Sequence, residues 1–342
     1  LSGDVALTGS DLGRVIARGR GGTGGSITGD ITTSGGIQQA MALSGDITGN
    51  IDADGGVNFV RAMGDIEGDV HTAGNLQTLQ AIGGDIAGTV DVDGKLRTAM
   101  AYGKGGQGGS VSGLVDVDGD LRVLKAVNGG IAKRISVGGN ATLIQAVGGD
   151  VTGPVQVDGN LNSLMVQNGS LLGNVKTGTT GTGQGDLQAL RVVNGNIQGS
   201  VQASGKLGSL IAAGRGSGGS IGANVEAGNG LGILYATADL TGEVNVTGDL
   251  SRLSVRGNIT GSTVDVDSGS LRSFWTGGKA EESFFDVENS LRSFSVSGDF
   301  TNSTVEAGKL GRLNVRGKIS EDDSDDDTDQ IWAHTGLFSR GF

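Results

Sequence analysis

The chain has no cysteine and a single proline, Pro154. Without cysteine there is neither a disulfide framework nor a thiolate metal site. Histidine is limited to His71 and His334. No apolar run approaches the roughly 18–20 residues of a membrane span, so membrane insertion is not expected. No segment keeps helical spacing for as long as about ten residues. The first residue is Leu1 and not Met. That predicts removal of a leader or descent from a larger parent.

Glycine is abundant, with 68 in 342 residues. Collagen is excluded, because no G-X-Y triplet runs through the chain. A flexible linker is excluded for a different reason. Val, Ile, Leu and Ala return on a fixed schedule that a linker does not need.

The net charge is −12 and is unevenly spread. Glu321 to Asp329 alone holds seven acids, which leaves 30 acids against 25 bases, or −5, elsewhere. Phosphate binding needs a basic face, so nucleic acid is not an expected partner. Divalent cations suit such a surface better.

One unit recurs: G-D/N-I/V-x-G-x-V-x-V/A-x-G-x-L-x-x-L-x-A/V. Clear copies are Gly64 to Ala81 (GDIEGDVHTAGNLQTLQA), Gly84 to Ala101 (GDIAGTVDVDGKLRTAMA) and Gly149 to Val166 (GDVTGPVQVDGNLNSLMV). Its first Leu-like position falls at Leu12, Ile37, Val57, Leu76, Leu96, Leu121, Ala141, Leu161, Leu187, Leu207, Leu231, Leu250, Leu271, Leu291 and Leu310, fifteen times in all. The base step is about 20 residues, with occasional insertions. Within the unit apolar residues alternate, which is strand periodicity. Glycine and Asn/Asp-Gly lie between the runs, where the chain must turn. Three short strands and three tight turns use up one unit.

The expected fold is therefore all-β: a single-stranded parallel β-helix of about 15 triangular coils of about 20 residues, right-handed in sense. The solenoid is expected over 1–319, with an acidic segment and C-terminal cap or assembly tail over 320–342. A leucine-rich repeat has similar length, but its Asn ladder and helical return half are missing. Stacking predicts like-on-like columns. Leu250, Leu271, Leu291 and Leu310 form one; Leu253, Phe274, Phe294 and Leu313 form another.

Insertions are expected after the L-x-x-L-x-A strand at Arg18 to Gly25, Gly103 to Gly109, Gly214 to Gly219 and Gly277 to Glu282, and at another corner at Lys176 to Gly185. They read as surface loops. None carries the G-x-x-x-x-G-K-S/T phosphate motif. Nine of the twelve aromatic residues lie beyond residue 270, which predicts an enlarged C-terminal core with a cap, the alternative being an aromatic contact patch.

Two acidic groups are candidate metal ligands. Asp91 and Asp93 stand one coil before Asp116 and Asp118, both pairs within DVDG. Stacked like charges roughly 5 Å apart repel unless bridged, and Ca²⁺ would bridge them. Asp54, Asp158, Asp265 and Asp267 extend the pattern in places. The second group is Asp323, Asp325, Asp327 and Asp329. Their alternation begins like a calcium loop but lacks the glycine and glutamate that an EF-hand requires. Solvated turn aspartates are the plainer reading of the first group.

A polysaccharide-cleaving enzyme needs carboxylates or bases clustered at a groove. The best such grouping is Asp93 and Asp118 beside Arg97 and Arg122, and the repeat itself accounts for it. The chain is read as a non-enzyme. The stretch Ser290 to Ile319 (SLRSFSVSGDFTNSTVEAGKLGRLNVRGKI) and the Gly-Asp-Ile/Val ladder resemble the repetitive regions of large secreted bacterial surface proteins of adhesin or cell-envelope type. That resemblance implies extracellular display. Leu1 to Val5 already enters the repeat, and a bare strand edge invites pairing. The expected role is a self-assembling surface or filament subunit joined end to end as a homo-polymer. The alternative is an adhesin that recognises carbohydrate or another surface.

Overall fold

Alternation by two, interrupted by glycine, dictates short strands and sharp corners. The computed structural model has this form: parallel strands stacked as a β-solenoid of about 14 turns, ~20 residues apart. No helix occurs among the described residues. These are residues 1–19, 24–105, 108–178, 185–216 and 218–320, with the backbone of 331–333. Contacts divide the chain into two units, Leu1–Gly173 and Asn174–Phe342.

In the first unit each coil has three faces. The L-x-x-L-x-A segment forms the longest strand, as in Leu76–Ile82 and Leu96–Tyr102. The V-x-V segment forms a three-residue strand, as in Val70–Thr72 and Val90–Val92. The third face is reduced to single parallel bridges that run Ile27, Ile47, Ile66, Ile86, Val111 and Ile131. Register is like-on-like: Leu76 pairs with Leu96, and Leu96 with Leu121. The first, fourth and sixth residues of this strand point inward, so Leu76, Leu79 and Ala81 are fully buried. Burying such a Leu contributes on the order of 1.5–3 kcal/mol. Each coil needs its neighbours for this, so stability accumulates by nearest-neighbour contact.

Two residue types let the coils close. At the corner after the long strand φ turns positive, at Gly83 (94°) and at Asn128 (65°), which explains why Gly or Asn recurs there. At a second corner the constraint is space. A Cβ on Gly68 would run into the Gly49 carbonyl, and one on Gly88 into the Gly68 carbonyl. At Leu121–Ile131 and Ala141–Val151 the long strand continues through its corner into the bridge row, with an irregular register at Val127 to Gly129.

The second unit repeats the plan. Leu250 pairs with Leu271, Leu271 with Leu291, and Leu291 with Leu310; Leu253, Phe274, Phe294 and Leu313 pair in the same order. Both expected columns are therefore present, although Leu313 is 37% exposed. Most of the described aromatic residues of this unit are core. Phe274 and Phe294 stack at 4.2 Å between ring centroids and 8° between planes, and Phe285 meets both edge-on. Phe300 is buried beside Phe294. Trp275 and Phe284 remain partly exposed.

One expected insertion is not an insertion. Gly277 to Glu282 contains the strand Ala280–Glu281, which pairs in register with Ile259 and Thr260 before it and with Phe300 and Thr301 after it. The segment is the third face of an ordinary coil, in which Ala280 replaces the usual Ile. The ladder also extends past residue 319: Ile331–Ala333 lies parallel to Val305–Ala307.

Candidate functional site

The middle residue of each V-x-V strand faces outward, because its neighbours face the core. In the first unit this outward column runs Asp52, His71, Asp91 and Asp116, paired coil to coil. His71 Nδ1 lies 3.2 Å from Asp91 Oδ2, with side chains 42% and 51% exposed. Asp93, at the corner beyond Val92, joins them. One ligand atom from each of His71, Asp91 and Asp93 falls within 4.8 Å of the others.

Asp91 and Asp93 therefore meet the histidine of the preceding coil. Asp116 and Asp118 do not belong to this group. Asp116 lies over Asp91 in register, but its carboxylate turns to Arg134 Nη2 at 3.8 Å. Asp116 thus has a cationic neighbour in Arg134, while Asp91 has the His71 imidazole on the side away from Asp116. Of the other aspartates in the pattern, Asp158 accepts a hydrogen bond from Gln156 Nε2 at 3.3 Å. Asp323, Asp325, Asp327 and Asp329 lie outside the described residues.

The donor set bears on which ion would fit. Ca²⁺ takes six to eight oxygen ligands, roughly. One imidazole with two carboxylates on an open surface fits a borderline transition ion such as Zn²⁺ better. A metal bond of about 2.0–2.2 Å allows donors to stand at most about 4.2–4.4 Å apart, so the three side chains must close slightly to share an ion. Sequence reading reached Asp91 and Asp93 without His71. The available signal was the period: His71 stands 20 residues before Asp91, at the same place in the unit.

Most of the remaining Asp and Asn residues in the ladder have another task. Their Oδ1 atoms accept the backbone N–H of the corner one coil later. Asp46 accepts from Asp65 (2.9 Å), Asp65 from Asp85 (2.7 Å) and Asp85 from Ser110 (2.7 Å). A second corner does the same with Asp30, Asn50 and Asp69. In the other unit Asp239 accepts from Asn258 at 2.7 Å and Asn258 from Lys279 at 3.0 Å. These bonds pair corner amides that the strand ladders leave over.

Among the described residues, two carboxylates have shifted acidity. Asp120 is held below the usual carboxylate range, first by the hydrogen bond from Lys95 and then by that from the Asn140 backbone. Asp265 is pushed up, first by burial and then by the neighbouring Asp267 and Asp286 charges.

The first unit also carries an open groove of about 430 Å³ across four successive coils. Two polar columns line it: Asn75, Lys95, Asp120 and Asn140 on one side, and Gln77, Arg97, Arg122 and Thr142 on the other. Lys95 Nζ and Asp120 Oδ2 form an ion pair across one coil step at 2.7 Å.

Compared with known proteins, the chain matches no family model, no curated protein and no solved structure. No helix among the described residues is long and apolar enough to cross a membrane.

Proposed function

We propose that this chain is an extracellular structural protein, a surface or filament subunit whose copies join end to end through their coil edges, and that its role is not catalytic. The observation that carries this reading is the sameness of the coil interface. Leu96 meets Leu76 on one side and Leu121 on the other in one register, so each coil edge is chemically complementary to every other. An edge strand with free N–H and C=O groups accepts any such partner.

Association of the purified chain with rising concentration, measured by sedimentation and imaged by electron microscopy, tests the reading. Fibres or end-to-end oligomers are expected. A monomer at high concentration, with no fibres, ends it.

A second reading is a binding module for carbohydrate or another surface. The groove flanked by Arg97 and Arg122 favours it.

A further inference from the structure

Resting on that second reading, we infer that the groove of the first unit binds an anionic polysaccharide strand, with Arg97 and Arg122 gripping its carboxylate or sulfate groups. Leu96 and Leu121 are paired in register, so the arginines that follow them stand one coil step apart, about 4.8 Å along the backbone. Neither guanidinium has a hydrogen bond or ion pair with a described residue. The other cation of the groove, Lys95, is already engaged by Asp120. Two unpartnered guanidinium groups stacked this closely repel each other. An oxyanion between them removes the repulsion, and guanidinium binds such groups through paired N–H donors.

The rest of the lining selects the class of ligand. Gln77 and Thr142 continue the arginine column by one coil in each direction, because Leu76 and Ala141 pair with Leu96 and Leu121. Asn75 and Asn140 face them across the groove. Amide and hydroxyl groups on both sides suit the hydroxyls of sugars. Three coil steps make a slot roughly 14 Å long, which fits an extended polymer better than a lone ion. The lining has no aromatic side chain on which nucleic-acid bases could stack.

The test titrates the full chain with polygalacturonate, dextran sulfate and neutral dextran by calorimetry at low and at physiological salt. A double variant, Arg97→Gln with Arg122→Gln, is compared with Arg272→Gln with Arg292→Gln. The latter pair is stacked in the same register on the second unit but lies outside the groove. Circular dichroism confirms that both variants fold; these are exposed positions. Binding of a polyanion, weakened about tenfold or more by the first variant and within about twofold by the second, is the expected result. Which polyanion binds tells carboxylate from sulfate. Equal loss in both variants, or equal binding of neutral dextran, overturns the assignment to the groove arginines while leaving a binding role standing. Binding to none of the three removes both.

Discussion

Asp65 Oδ1 accepts the backbone N–H of Asp85 at 2.7 Å, one coil later, while the N–H of Asp65 is donated to Asp46 Oδ1 at 2.9 Å. Each aspartate is thus donor through its backbone and acceptor through its side chain. The column is a hydrogen-bond chain along the stacking direction at a corner the strand ladders do not cover. Asp65→Ala removes the acceptor and leaves the Asp85 amide unpaired, at a cost of about 1.5–3 kcal/mol. Asp65→Asn keeps an oxygen in place and is expected to cost under about 1 kcal/mol. Asn258 already serves in the equivalent position of the second unit. Hydrogen exchange at the Asp85 amide reads the difference directly: fast in the alanine variant, slow in the asparagine one. Equal protection in both refutes the assignment.

That column also marks how far the sequence could be read. The coil, its period and its inner columns were legible, because a parallel stack puts like on like and leaves the repeat in plain view. The task of the Gly-Asp pairs was not. An aspartate that accepts from an amide about 20 residues away looks, in sequence, like an ordinary turn aspartate or a cation ligand. Asp91 stacks over Asp116 one coil forward, as its spacing predicts, and also meets His71 one coil back, a neighbour the sequence pattern alone did not single out. Gly277 to Glu282 was misread because Ala280 and Glu281 lack the branched side chains that usually mark a strand. They pair on the strength of the coils on either side.

Leu161 is fully buried, and Ala141 precedes it in register. Leu161→Ala is expected to cost about 2–5 kcal/mol through lost burial and the cavity left behind. Leu161→Asp costs more, because it places a charge where no partner stands. The damage should stay near its coil, since the solenoid is held by neighbours. Hydrogen exchange should quicken around Ile144 and Leu164 and change little over Val57–Ala62. Uniform loss of protection across the first unit contradicts the nearest-neighbour picture.

Phe294 contacts three other rings: Phe274 stacked at 4.2 Å, with Phe285 and Phe300 edge-on at 5.2 and 6.0 Å. Phe294→Ala is expected to destabilise the second unit by about 3–5 kcal/mol. Phe294→Leu keeps most of the volume and should cost less, in keeping with the leucines of the same column at Leu253 and Leu313. Chemical denaturation followed by tryptophan fluorescence checks the order. A leucine variant as damaged as the alanine one argues that ring stacking outweighs filled space.

Among the described residues, Asp265 in the second unit is the carboxylate whose acidity is pushed up. Asn245 and Asp286 flank it in the ladder and Asp267 lies on its own strand. Burial is the first cause, and the Asp267 and Asp286 charges follow. A carboxyl with a raised folded-state pKa favours the fold while protonated. That contribution is complete below the unfolded value, near about 3.9, and is lost as pH rises through the folded-state value. At neutral pH, then, ionised Asp265 is a burden that Asp265→Asn removes. The variant should melt at a higher temperature than the parent at pH 7, and the gap should close as pH falls below the carboxylate range. Added salt should shrink it too, because part of the burden is repulsion from neighbouring carboxylates. Asp120 in the first unit has the opposite sign. Its depressed acidity gives stability that is present above about 3.9 and fades as pH falls through the folded-state value, so Asp120→Asn should weaken the fold slightly at pH 7 and progressively less as pH falls. Melting curves of the two variants across pH must move in opposite directions. Parallel shifts show that these carboxylates do not feel the neighbours the structure gives them.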